Sequence, residues 1–293
     1  MAEHFRIFAQ PARSILTATS GFLQEAGFTH SLTPARNCTF GCTYCYVPTM
    51  RVYGGLKPED WQRWGQFTTF KENAADLLRR TIRPSMVIYC SPLVDPYQPA
   101  EAERRAMPAI LDVLITRPPR VFTIQTRGPL ILRDLEQLQE LNRRTTLRVS
   151  FSITTNREDI RKLYEPHCAP IPERLAVIRQ LESHGITAHA TLAPLLPADP
   201  EKLVDAAVGV SPHNLVGDAL HLRATKRHGA TTREQAFRVA AHHGQQEWFE
   251  PDFQALTIQR MKERARAAGR RFQTGPEAFA WLAQAENLAS RTS

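Results

Sequence analysis

Between residues 85 and 222 short apolar runs alternate with stretches whose apolar positions recur every three or four residues. SMVIYC (85–90) reads as a buried strand. AEAERRAMPAILDVLIT (100–116) has helical periodicity, with Pro108 near its first turn or at a kink. PRVFTIQT (119–126) is the next strand and PLILRDLEQLQELNR (129–143) the next helix. LRVSFSI (147–153) alternates and is β-branched, as a strand requires. PERLAVIRQLESHG (172–185) is a helix opened by Pro and closed by Gly. ITAHATLAPLLP (186–197) is a strand, DPEKLVDAAVGV (199–210) a helix with Asp199 as its N-cap, and HNLVGDALHL (213–222) a weaker strand. THSLTPA (29–35), upstream, brings the strand count to about six.

Strand and helix in this alternation build βαβ units and a parallel sheet. The expected fold is α/β: a partial, open (β/α)6 barrel with its ligands at the C-terminal ends of the strands. The expected organisation is an N-terminal extension (1–25), a core (26–228) and a helical, Arg-rich C-terminal segment (229–293).

Composition narrows this little. Hydrophobic content of 42% with 23% charged residues is that of a soluble globular chain. No apolar run approaches the roughly 18 residues of a membrane span. The first residues lack a basic region followed by an apolar one, so secretion is not expected. The net charge is +8, of which residues 222–293 carry +5, from 12 Lys/Arg against 7 Asp/Glu. An anionic partner such as nucleic acid fits this balance, and so does a solvated basic surface.

Of five cysteines, Cys38, Cys42 and Cys45 crowd into NCTFGCTYCYVP (37–48). Three thiols fall one short of a closed four-thiol zinc site, and no second ligand pair lies nearby. A [4Fe–4S] cluster held by three thiolates keeps one iron open to a small molecule. Clustered reduced cysteines point to a reducing compartment, the cytoplasm.

Cys-x3-Cys-x2-Cys with Tyr44 before the last cysteine resembles the loop of the radical S-adenosylmethionine (SAM) superfamily. SxTPxRNCxxGCxYCY, VIYCSPLVDPYQPAE, QTRGPLILRD, VSFSITTN and ATLAPLLP, across residues 14–225, are similar to successive motifs of the spore photoproduct lyase-like family. The Asp-Pro-Tyr-Gln-Pro segment (95–99) is closer to its DNA repair photolyase-like branch. The resemblance implies a [4Fe–4S] cluster on Cys38, Cys42 and Cys45, SAM on the open iron, and reductive cleavage of SAM to a 5′-deoxyadenosyl radical. It also implies a reductant of flavodoxin or ferredoxin type. Tyr44 would pack near adenine. Ser91 and Asp95 would meet the amino group, Arg127 the carboxylate and Ser152 the ribose, with Ser150 on the same face of its strand. Tyr46 would relay a hydrogen atom or pack in the wall. Cys90 would donate a hydrogen atom or be a buried core residue. Asn156, Arg157 and Arg223 would line the substrate side, and Cys168 reads as structural. The implied substrate is a DNA lesion. An RNA base, a peptide or a metabolite is the alternative within the same chemistry. A metal-stabilised nucleic-acid-binding protein without catalysis is the alternative outside it.

Overall fold

The computed structural model describes residues 5–50, 63–222 and 232–286. Eleven strands occur among them: β1 (Arg6–Gln10), β2 (Leu16–Ala18), β3 (His30–Leu32), β4 (Ala35–Arg36), β5 (Phe67–Lys71), β6 (Val87–Cys90), β7 (Val121–Thr126), β8 (Thr146–Ser152), β9 (Thr187–Leu192), β10 (Leu215–Gly217) and β11 (Phe272–Thr274). The main sheet runs β11-β10-β9-β8-β7-β6-β3-β2, and a small second sheet runs β1-β5-β4. From β3 to β11 every neighbouring pair in the main sheet is parallel, and only β2 at the edge is antiparallel. All six expected strands lie in this sheet, which forms the α/β array that their alternation with helices predicts.

The departures have local causes. The expected helix 100–116 is two, Glu101–Arg104 and Ala106–Thr116, because Arg105 takes a left-handed φ of 53°. The buried Glu101 carboxylate accepts from the Ala106 and Met107 amides at 3.0 and 2.9 Å and so opens the second helix. Pro108 then falls in the first turn, where no amide is needed. Asp199 caps Pro200–Val208 as expected, accepting from the Lys202 amide at 3.2 Å. Among the described residues the flanking segments are not appendages. Residues before 25 supply β1 and β2, and the C-terminal segment adds a strand, β11, as well as helices. The expected boundary at 228 lies outside the described residues.

Register assigns each side chain to a face. Leu32, Cys90, Ile124, Val149 and Ala188 stand side by side. They belong to the core that the sheet shares with Ile110, Leu111, Leu138, Val177 and Leu203 from the flanking helices. The opposite face carries Ser31, Tyr89, Thr123 and Arg148 in one row, then Gln125, Ser150 and His189, then Ser152 and Thr191. This inner face is polar. Helix Gly275–Ala283 closes it towards the N-terminal ends of the strands, where Phe279 and Leu282 pack with Phe28, Tyr89 and Val216. Thr123 donates to the Leu282 carbonyl at 2.7 Å, and Arg148 to that of Gln284. The other end is roofed by a second apolar cluster that includes the cysteine loop, Val94, Ile160, Tyr164, Leu196 and Leu220. No helix among the described residues is long and apolar enough to cross a membrane.

Candidate functional site

The cysteine loop leaves β4 at the C-terminal rim of the main sheet and is tied down residue by residue. Asn37 has φ 63°, and its carbonyl accepts from the Thr68 hydroxyl of β5 at 3.0 Å. The Thr39 amide donates to Gln98 at 2.8 Å, and the Thr43 amide to the Tyr164 carbonyl at 2.9 Å. Gly41 is required twice over. Its φ is +62°, and a Cβ there would meet Gly65 Cα at 3.2 Å and the His167 ring at 3.0 Å. The loop thus holds Cys38 and Cys42 buried and Cys45 half-buried.

Among the described residues, the ligating side chains that close to within 4.8 Å of one another are Cys42, Glu165 and Cys168. Those three do not make a metal centre. Both Glu165 oxygens are already engaged, Oε2 by Arg174 at 2.5 Å and Oε1 by Arg127, by Tyr44 Oη at 2.5 Å and by Thr154 at 2.8 Å. Burial alone would raise the Glu165 pKa, but Arg174 and then Arg127 outweigh it and hold the carboxylate at about 2. A single zinc would draw its sulfurs to about 3.8 Å of one another, given Zn–S of about 2.3 Å. Cys38 and Cys45 stand outside the tight group. Three sulfurs spread along one loop suit a cluster of several irons.

Charge supports the same fit. Arg127 Nη1 lies 3.7 Å from Cys42 Sγ and is held there by Glu165, which Arg174 holds in turn. A thiolate ligand at Cys42 would have a cation beside it, as a buried charge requires. The Cys168 thiol and, beyond it, Arg127 already draw the Cys42 pKa below the ordinary thiol value, against the effect of burial.

The other expected residues differ in how far they are engaged. Ser91 and Ser152 are buried, and their hydroxyls have no hydrogen-bond partner among the described residues. Ser150, one row deeper, is paired with Thr191 at 2.6 Å. Asp95, Arg127 and Tyr44 are at the rim but engaged. Asp95 accepts from the Tyr97 amide (2.9 Å), the Thr126 hydroxyl (2.6 Å) and the Arg127 amide (2.8 Å), which ties the β6 loop to the end of β7. Desolvation pushes its carboxyl above the ordinary value, and these donors act against that. One of about four acceptor positions on the carboxylate remains. Arg127 lies 5.7 Å over the Tyr44 ring as well as on its hydroxyl and on Glu165. Tyr46 Oη donates to the Pro92 carbonyl at 2.9 Å, joining the cysteine loop to the β6 loop.

Cys90 is placed otherwise than expected for a hydrogen donor. It is fully buried on the helix-packed face with Ile88 and Ile124, not on the polar inner face. The cause is register: two residues from Ile88, its side chain must share that residue's side. Asn156 and Arg157 are committed as well, Asn156 to the Asp199 amide at 3.0 Å and Arg157 to Asp159 at 2.5 Å. Arg223 lies outside the described residues. Glu165, Arg174 and Thr154 are site residues that sequence reading missed.

A family model described as "Radical SAM superfamily" matches residues 32–208. The chain belongs to that superfamily, whose enzymes use a [4Fe–4S] cluster and SAM. An uncharacterized protein of Mycobacterium tuberculosis is 27% identical over 68% of this chain and 61% of its own length. An uncharacterized protein of Acidianus two-tailed virus is 23% identical over 73% of this chain and 74% of its own. The chain therefore spans about three fifths of the mycobacterial relative. Among solved structures, spore photoproduct lyase with bound AdoMet and dinucleoside spore photoproduct superposes with a TM-score of 0.55. That match is 13% identical and covers 83% of this chain and 78% of that one. The same protein complexed with the dinucleoside photoproduct alone gives an equal score. At this identity the likeness is one of fold.

Proposed function

We propose that this protein is a radical SAM enzyme that holds a [4Fe–4S] cluster on Cys38, Cys42 and Cys45 and binds SAM across the C-terminal mouth of its open barrel. The observation that carries the reading is that loop together with two buried hydroxyls at strand ends, Ser91 and Ser152, that lack a partner among the described residues. Native proteins seldom strand buried polar groups, and a polar ligand repays both. Ser152 would take the ribose, Ser91 and the free acceptor of Asp95 the amino group, and Arg127 the carboxylate, while Tyr44 would pack near adenine. The bound cluster and SAM would supply a carbon radical after one-electron reduction by a flavodoxin- or ferredoxin-type donor. The chain's part is to fix the cofactor and to keep water out, which the apolar roof does. Tyr46, between the two loops, is the candidate hydrogen relay. Five free cysteines suit the reducing cytoplasm.

A dinucleoside DNA lesion is the substrate class that the lyase-like arrangement supports. A non-DNA substrate is the second reading, and one observation favours it. Arg260 and Arg264 of the basic segment are paired with Glu201 and Asp205 at 2.8 and 2.6 Å, so part of its charge is spent within the protein. Anaerobic reconstitution tests the cofactor reading. About four irons per chain and 5′-deoxyadenosine formed on reduction are expected, and a colourless protein that leaves SAM intact would sink it. Ultraviolet-irradiated DNA then separates the substrates: active protein that restores no lesion points to the second reading.

A further inference from the structure

Behind the cysteine loop runs a buried chain of charged contacts that cofactor binding does not by itself require. Arg174, wholly buried on helix Ile171–Ser183, donates through Nε to the Ser152 carbonyl at 3.1 Å. Its Nη1 donates to Glu165 Oε2 at 2.5 Å. Glu165, also wholly buried, holds Arg127 Nη1 through Oε1, and that nitrogen lies 3.7 Å from Cys42 Sγ. Strand end, arginine, glutamate, arginine and sulfur thus form one unbroken series.

We propose that Glu165 and Arg174 are positioning residues that act through Arg127, fixing one guanidinium N–H against the Cys42 sulfur and so setting the charge felt by a cluster bound there. The inference rests on the cofactor reading above. A hydrogen bond and a positive charge at a ligand sulfur favour the reduced cluster and raise its potential. Glu165 tempers that charge while holding it in place. Tyr44 Oη and Thr154 Oγ1 also donate to Glu165, so the carboxylate cannot swing away without breaking four contacts. The low dielectric of a fully buried site makes each charge count for more than it would at the surface.

The test is a redox titration of the reconstituted protein without SAM, followed by the electron paramagnetic resonance signal of the reduced cluster. Iron content and thermal melting are measured alongside. Glu165→Gln keeps the shape and removes the charge that tempers Arg127. At a poise near the wild-type midpoint its reduced-to-oxidised ratio is expected to rise about tenfold, which is ~59 mV for a one-electron couple. Arg127→Met is expected to lower the ratio, and Arg127→Lys to recover part of it. If Glu165→Gln does not load iron, Arg174→Lys, which keeps the charge and loosens the hold on Glu165, decides in its place: a lowered ratio supports the proposal and an unchanged one overturns it. Unchanged midpoints in iron-loaded variants, or shifts of the same sign in Glu165→Gln and Arg127→Met, overturn the proposal and leave the cofactor reading standing. Wild-type protein that assembles no cluster overturns both.

Discussion

Cys90 and Ser91 are neighbours in sequence with opposite expected signatures, and the pair tests how the site has been assigned. Cys90→Ala removes one sulfur from a fully buried position in the helix-packed core. A one-atom core truncation of this kind costs about 1 kcal/mol. In a chain of this size that is a melting shift of roughly 2 °C. Iron content, SAM affinity and 5′-deoxyadenosine yield should not change, because no Cys90 atom faces the polar inner side. Ser91→Ala removes a buried hydroxyl that has no partner among the described residues. Stranding such a group costs about 1–3 kcal/mol, so the cofactor-free variant should be as stable as wild type or more so. Once SAM is present the order reverses: one lost hydrogen bond, about 0.5–1.5 kcal/mol, weakens binding roughly two- to tenfold. The assay is urea denaturation with and without SAM on iron-loaded protein, with SAM affinity by calorimetry. A Cys90→Ala protein that keeps full stability but loses SAM turnover would refute the face assignment.

Alanine at Cys38, Cys42 or Cys45 should abolish iron binding while Cys168→Ala retains it, as iron analysis after reconstitution will show. Iron loss in the last would make Cys168 a ligand. His189 is buried on the inner face, and burial, then the nearby His213, lower its pKa to about 4. The folded state therefore binds fewer protons than the unfolded one between about pH 4 and 6.5. Its contribution is complete above about pH 6.5 and is lost as pH falls towards 4, at most about 3 kcal/mol. His189→Gln should flatten that part of a stability–pH profile. Gly128→Ala would set a Cβ 2.2 Å from the Tyr97 carbonyl oxygen, next to Arg127. A backbone clash of this kind should cost about 3 kcal/mol or more, read as a lower urea midpoint, and should weaken SAM binding with it.

The parallel core was legible because six apolar runs alternate with punctuated helices, and the cysteine loop because its spacing is unusual. What stayed hidden has physical reasons. VIYC is apolar on both sides, so period two groups Cys90 with Ile88 but does not say which side faces the helices. β11 is three residues long inside an Arg-rich helical stretch, and only its pairing with β10 makes it a strand. Glu165 and Arg174 are charged, and charged residues are solvated unless a partner is supplied from afar. A signal existed for Arg174. It occupies the apolar stripe of its helix, in step with Ile171, Ile178 and Leu181, where a solvated arginine has no place. Asp95, read as a cofactor acceptor, proves also to be a clamp between two strand ends, which depends on Thr126 standing opposite it.

Helix Gly275–Ala283 gives the molecule an order of assembly. It meets both the short helix Phe22–Glu25, where Phe22 stacks edge-on against Phe279 at 5.0 Å, and the inner rows of the sheet at Thr123 and Arg148. During synthesis the six strands can pair as they emerge, but the floor of the barrel is missing until residue 286 has cleared the ribosome. The Arg148 contacts to Gln284 and Glu286 can form only then. The polar inner rows of the sheet are therefore completed last, by a segment far from them in sequence.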